Sequence, residues 1–289
     1  MIKECKLAFS YDKLLDFMGI ETSTRKTMND EKVIVVVAWH NAEQRDKFCE
    51  AWGMNKLDPG VHVLFQQDTS KRGCGWTKQQ GVNRAVSLGA TIIIVLDDDC
   101  LPDWSCPTML QFITDHLSAL QPQEVEMYQA VTNPPSRGTP YYRRTVKMRV
   151  AASLGFWSNI PDLCAPSQLV RGPTCSMEFD RRPIYGKAFP YCGMNVAFRV
   201  EFLPWANFLD LPRVDDIFAG YLFQREAYRR GFCFNLGGPM VFHQRQSNVW
   251  LNLKEEAKYL ERNETLWSDI LFHPSNDYAE LLKLIPRRI

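Results

Sequence analysis

Short apolar runs alternate along the first half of the chain with stretches whose apolar residues recur every three or four positions. "KVIVVVAWHN" (32–41) reads as a strand buried on both faces, and "AEQRDKFCEAWG" after it as a helix closed by Gly53. "VHVLFQQD" (61–68) is a second strand, and "WTKQQGVNRAVSLG" (76–89) is a helix with Gly89 at its stop. A third strand at 91–96, a helix near 107–119 and a strand near 126–132 continue the alternation. This order predicts an α/β fold, with a Rossmann-type, mostly parallel central sheet flanked by helices. Residues 133–190 have few periodic segments and many Pro, Arg and Tyr, and are expected to form ordered substrate loops. The last forty residues, with "LNLKEEAKYLERNETLW" and "DYAELLKLI", read as helical.

The third strand ends in an electrostatic problem. "ATIIIVLDDDC" runs from a buried apolar segment straight into Asp97, Asp98 and Asp99, whose mutual repulsion requires a positive partner. In open α/β sheets ligands bind at the carboxyl ends of the strands. A D-x-D arrangement there suits Mn²⁺ or Mg²⁺, which also binds phosphate oxygens. An acidic loop cap is the plainer alternative. His243 follows another apolar, strand-like stretch and is a candidate further metal ligand beside Asp97 and Asp99. "VDDIFAGY" (214–221) supplies a second carboxylate pair, Asp215 and Asp216, at a helix start. Either they only favour the helix dipole, or one acts as a general base toward a hydroxyl.

Composition narrows the classes. The chain has 289 residues, 45% hydrophobic and 23% charged, with a net charge of +1. That is ordinary for a soluble globular protein and gives no overall nucleic-acid or membrane signature. No apolar run approaches the roughly 20 residues that span a bilayer. The N-terminus has charges where a signal peptide needs an apolar stretch, and the nine cysteines are scattered without a CxxC pair. Free thiols in a reducing cytoplasm are expected. Charge is uneven, however: Arg137, Arg143, Arg144, Lys147 and Arg149 fall in a segment with no acidic residue between Glu126 and Asp162. Such a run is either a solvated face or a site for an anion, a diphosphate or a nucleic acid.

Several longer segments resemble one family. "VLDDDC", "SRGTPYYRR", "GFWSNIPDLCAPSQLV", "FPYCGMNVAF", "RVDDIFAGY" and "HQRQSNVWLNLKEE" occur in the same order as in the reversibly glycosylated polypeptides, which include the plant UDP-arabinopyranose mutases. The resemblance implies a GT-A-like fold, a UDP-sugar substrate and a Mn²⁺ or Mg²⁺ ion. It implies that Asp97, Asp98 and Asp99 form the metal and diphosphate motif, that His243 is the histidine after the later strand, and that Asp68 binds uridine. Arg144, with Arg143 alongside, falls at or beside the arginine that takes the sugar covalently in the mutases. The continuation "TVKMRVAA" departs from the family's acidic, glycine-containing one. The helix 76–89 resembles the one before the D-x-D motif in GT-A transferases, which makes Lys78, Asn83 and Arg84 nucleotide-facing candidates. One GT-A-like domain over 1–289 is expected: a lead-in (1–30), a nucleotide-binding half (31–132), a substrate half (133–250) and C-terminal helices (251–289).

Two enzyme classes follow. In the leading one, a metal-dependent glycosyltransferase moves a sugar, arabinose or a similar pentose, from UDP to an acceptor hydroxyl deprotonated by Asp216 or Asp215. The basic run suits an anionic acceptor, of which hydroxymethylated bases in viral (phage) DNA would be one case. The alternative is a UDP-arabinopyranose mutase, which needs no acceptor and would hold the sugar on Arg144. The sequence leaves the oligomeric state open.

Overall fold

In the computed structural model, which describes residues 31–57, 60–127, 137, 144–160, 162–172, 179–244 and 248–288, the apolar runs are strands. The first half contains β1 (Val33–Trp39), α1 (Ala42–Ala51), β2 (Val63–Gln67), α2 (Cys74–Ser87), β3 (Ile92–Asp97), β4 (Cys100–Pro102), α3 (Met109–Ala119) and β5 (Gln123–Glu126). Next come β6 (Thr145–Leu154), β7 (Phe156–Asn159), α4 (Ala165–Arg171), β8 (Pro183–Ile184) and β9 (Asn195–Arg199). The chain continues with α5 (Asp215–Arg229), β10 (Phe232–Asn235), β11 (Met240–His243), α6 (Val249–Glu256), α7 (Leu260–Leu271) and α8 (Tyr278–Leu282). Gly53 and Gly89 take left-handed φ values of 61° and 83° just past α1 and α2, as expected of residues that end helices.

The main sheet has the order β2-β1-β3-β9-β6-β10-β8, with β5 paired to β6. Strands β2, β1, β3, β6 and β10 point one way, while β9 is inserted antiparallel between β3 and β6. The fold is therefore α/β with a large central sheet flanked by helices, and its parallel majority is interrupted by β9. Alternation along the strands divides the core. Val35, Val37, Ile92, Ile94 and Leu96 face α1 and α3 (Phe48, Trp52, Phe112, Leu117). Ile34, Val36, Ile93 and Val95 face α2 and α5 (Val82, Ala85, Phe223, Ala227). Each such fully buried side chain contributes about 1.5–3 kcal/mol. The outer side of α5 forms a third core with α7 and α8 through Phe218, Leu222, Leu266, Ile270 and Leu281.

Two expectations change. The segment expected to form loops holds β6, a ten-residue strand. Its first half is exposed apart from Met148, and its second half, Val150 to Leu154, is wholly buried. Small residues and exposed basic ones hid a strand whose identity is set by its neighbours. The strand expected near 126–132 is instead Gln123–Glu126, and most of the expected range lies outside the described residues. The lead-in 1–30 also lies outside them. Among the described residues, no helix is long and apolar enough to cross a membrane, and seven cysteines are free thiols.

Candidate active site

The turn after β3 carries the acidic run to the carboxyl end of the sheet. It is held from one side by α1: Gln44 Nε2 donates to Asp98 O at 3.0 Å, and Trp52 Nε1 donates to Cys100 O at 2.9 Å. Asp98 and Asp99 are buried. The positive partner required by the sequence is Lys78, whose Nζ lies 2.8 Å from Asp97 Oδ1 and which is only 4% exposed. Burial works against the Lys78 charge, but Asp97, together with Asp215 and Asp216, holds the ammonium well above its ordinary range. The lysine sits there because Gly75, one turn earlier on α2, lets the helix press on α5: a Cβ at Gly75 would lie 2.5 Å from Asp215 Oδ2.

A small second sheet, β4-β11-β7, closes this end. The pairing of β11 with β4 sets His243 opposite Cys100, next to Asp99. His243 Nε2 then lies 3.7 Å from Asp99 Oδ2, while Nδ1 is 2.7 Å from Ile160 O. Because a carbonyl only accepts, Nδ1 carries a proton; burial works against a charge on the ring, but Asp99 and the Ile160 carbonyl raise its hold on a second proton at Nε2.

The second carboxylate pair belongs to the same place. Asp215 and Asp216 open α5 without capping it, since the N-cap is Val214. Asp216 accepts from Gly193 N at 2.7 Å and Ile217 N at 2.8 Å. Gly193 is needed for that approach, because a Cβ would meet the Phe208 ring at 2.3 Å. Burial, and then Asp216, push the Asp215 carboxyl up to about 8. Burial also raises Asp216, with Lys78 and the Gly193 N–H opposing it. The pair therefore holds a proton at neutral pH. Groups the sequence reading missed also stand here: Asp162, which accepts from Cys192 Sγ at 3.4 Å; Cys74, 3.8 Å from Asp97 Oδ1; and Arg213. Their signals were the long segments around Trp157 and Cys192, which bring loops to the site without forming a recognisable short motif.

The other expected site residues differ in placement, and Asp68 stays at the carboxyl end of the sheet, just past β2. Asp68 accepts from Gly73 N (3.2 Å) and Ser70 Oγ (3.4 Å), bracing the loop into α2. Arg84 and Asn83 line a polar cavity of about 580 Å³ with Gln66, Gln67, Trp76 and Gln80, against the edge strand β2. Its lining contains no carboxylate, so Arg84 is not part of the acidic cleft. Arg143 lies outside the described residues. Arg144 immediately precedes β6, and its carbonyl accepts from Met127 N. Since β6 runs in the same direction as β3, its start lies at the opposite end of the sheet. Ten residues of extended chain separate that end from the cleft by roughly 30 Å. Arg144 is not a group of this site. Two further residues of the basic run are also engaged elsewhere: Arg149 pairs with Glu201 at 3.1 Å and stacks on Phe232, and Lys147 sits opposite Glu124.

The expected metal set of Asp97, Asp99 and His243 is not gathered as a triad. Among the described residues no three His, Cys, Asp or Glu side chains converge as a ready cage, because Asp97 is turned to Lys78. Asp99 and His243 alone fit a hard divalent ion of the kind that keeps waters and completes its shell with substrate phosphates. Their facing atoms are too far apart for a good hydrogen bond, and the carbonyl on Nδ1 is the outer support expected of a ligating imidazole.

Comparison with known proteins agrees with the resemblance in the sequence. The chain is 31% identical over 184 residues to a probable UDP-arabinopyranose mutase 1 of Pisum sativum, covering 57% of this chain and 50% of that one. It is 34% identical over 132 residues to UDP-arabinopyranose mutase 1 of Arabidopsis thaliana, covering 42% and 37%. The chain thus spans about half the length of the curated relatives it matches. A solved glycosyltransferase involved in the glycosylation of the major capsid of PBCV-1 covers 80% of this chain and 98% of its own. At 8% identity and a TM-score of 0.28, that likeness is too slight to bear on fold or function. The family model described as reversibly glycosylated polypeptide matches residues 89–270, more than half of the sequence, including the acidic turn, α5 and β11 but not α2 with Lys78. The chain belongs to the reversibly glycosylated polypeptide family.

Proposed function

We propose that this protein is an enzyme acting on a UDP-sugar, and that its reaction is that of its named relatives: interconversion of UDP-arabinopyranose and UDP-arabinofuranose. The mutase reading replaces the transferase as the leading one. The observation that carries it is the carboxylate pair of buried Asp215 and half-buried Asp216, packed through Gly75 and Gly193 against the acidic turn and Lys78. The names of the relatives point the same way. A DNA acceptor has no support in the geometry, since Arg144, Lys147 and Arg149 of the run that suggested it lie away from the cleft.

The isomerisation is redox-neutral. The bond between the anomeric carbon and the diphosphate breaks, a sugar hydroxyl bonds to that carbon as it gives up its proton, and the old bond from the ring oxygen to the anomeric carbon breaks as that oxygen takes a proton. The anomeric carbon then rejoins the diphosphate. The half-buried Asp216, held in place by the Gly193 and Ile217 N–H groups, takes and returns that proton. Asp215 behind it, kept neutral by burial, prevents the accumulation of two negative charges. Lys78 fixes Asp97 and limits the repulsion of the acidic turn. Asp99 and His243 would hold a Mn²⁺ or Mg²⁺ ion, which when bound neutralises the diphosphate as it departs. Asp68, at the end of β2, is the family's candidate for the uridine. No role is assigned to Arg144 as sugar carrier, because of its distance.

The decisive experiment supplies UDP-arabinopyranose and Mn²⁺ with no acceptor and resolves the nucleotide-sugars by chromatography. Formation of UDP-arabinofuranose is expected. Intact substrate or plain hydrolysis, with turnover restored by an added acceptor, would return the protein to the transferases.

A further inference from the structure

The acidic cleft has a shortage of positive charge. Asp97, Asp98, Asp99, Asp162, Asp215 and Asp216 gather at one end of the sheet, and a nucleotide-sugar brings a diphosphate to the same place. Lys78 is already committed to Asp97. Among the described residues, a further cation at this end is Arg213, in the turn that leads into α5, and its side chain is 32% exposed.

Three features mark this arginine as more than a turn residue. Its φ is +66°, in the left-handed region where glycine or asparagine would be cheaper. A bulky residue kept there points to a need for its side chain. Its Nε and Nη2 both donate to Glu256 Oε1, at 3.1 and 2.8 Å. Glu256 is only 6% exposed, and its other oxygen accepts from Ala165 N, the first residue of α4, at 2.6 Å. The carboxylate is thus fully used in fixing one edge of the guanidinium and docking α4. Arg213 stands two residues before Asp215 at the start of α5, and although burial opposes its charge, Glu256, Asp162 and Asp216 sustain it.

We propose that Arg213 binds the sugar-side phosphate of the nucleotide-sugar through its Nη1 edge, and that Glu256 is the residue that positions it. The assignment rests on the UDP-sugar reading above. A planar fork already immobilised on one edge loses little freedom when the other engages phosphate. It leaves Asp216 free for the proton and gives the departing diphosphate a partner that belongs to the chain itself.

Calorimetric titration of UDP and of UMP, with Mn²⁺ constant, tests this on the wild type, Arg213→Lys and Glu256→Gln. UMP lacks the phosphate in question. Arg213→Lys is expected to narrow the UDP-over-UMP preference roughly tenfold, the worth of one charge-assisted hydrogen bond, with UMP affinity within about twofold of wild type. Glu256→Gln should narrow it less, and in the same direction. An unchanged preference in Arg213→Lys, or equal weakening of both nucleotides, overturns the assignment while leaving the UDP-sugar reading standing. If the wild type binds neither nucleotide, both fall. Should the variants not fold, phenylglyoxal labelling of the wild type decides. UDP, but not UMP, should protect Arg213 from modification as mapped by mass spectrometry, and equal labelling with both would overturn it.

Discussion

The two ends of β6 present opposite ways of arranging charge. At its carboxyl end, beside β3, six carboxylates stand around Lys78, Arg213 and His243, and three of them, Asp98, Asp99 and Asp215, are buried. Glycines at 75 and 193 allow backbone and carboxylate to touch. At its amino end the residues are basic, exposed and paired across open solvent, as Arg149 is with Glu201 at 60% and 44% side-chain exposure. Both regions appear in sequence as runs of like charge. Only one follows a strand buried on both faces, and burial is what turns a run of charge into a site, because charges there must find partners or change protonation state.

The sharpest way to break this contrast is to remove one charged group from each end. Asp99→Ala is expected to lower turnover of UDP-arabinopyranose by at least about 100-fold, comparable to losing a principal electrostatic contact in other enzymes. Arg144→Ala should leave it within about twofold, as for a substitution away from the site. Single-turnover assays at saturating substrate compare the two. A large loss in Arg144→Ala would mean that the segment before β6 reaches the cleft, and would revive the covalent arginine.

A smaller but still large difference should appear in stability. Lys78→Met leaves the half-buried Asp97 beside two buried aspartates without its cation, a change that for a buried pair typically costs about 3–5 kcal/mol. Lys147→Met, on the exposed part of β6, should cost less than about 0.5 kcal/mol. Urea denaturation of both variants at neutral pH measures this. Equal effects would show that Lys78 is not the partner of the acidic turn.

How much of this could be read from the sequence follows the same division. The apolar run before Asp97 and the apolar stretch before His243 are local signals, and they correctly placed an acidic group and an imidazole at strand ends. That Asp99 faces His243 depends on the pairing of β4 with β11, which no local pattern records. Lys78 was legible as a residue facing the site, but not as the counter-ion, because which face of α2 meets β3 is set by packing at Gly75 and Gly81. Arg213 was passed over because it stands in a turn and its partner Glu256 lies far away on α6. The central sheet was foreseen, whereas β9 running antiparallel and β6 hidden among basic and small residues were not. Strand direction and strand identity in those places come from tertiary neighbours rather than from propensity.

The carboxylate pair adds a pH dependence that the basic end lacks. Asp215, pushed up to about 8 by burial and then by Asp216, stays protonated in the folded chain where the unfolded chain has ionised. The folded state therefore binds more protons between 3.8 and about 8. Its contribution to stability is complete below the unfolded value and is lost as pH rises through about 8. Thermal melts across that range should show a wild-type decline that Asp215→Asn flattens, since the amide mimics the neutral acid. An equal decline in both would place the titrating group elsewhere.

The smallest expected effect is also informative. Arg149 makes an ion pair with Glu201 and lies over the Phe232 ring, 4.4 Å from its centroid, yet it is largely exposed. A pair of this kind gains little Coulomb energy in water and is screened by salt, so Arg149→Ala should destabilise by less than about 1 kcal/mol. Part of that loss is the packing of the arginine stem on Phe232, which salt does not weaken. Melts at low and high ionic strength separate the two contributions. A wild-type advantage that disappears in salt belongs to the ion pair, and one that persists belongs to the ring contact. A loss of several kcal/mol would contradict the view that charge at this end of β6 is a solvated surface.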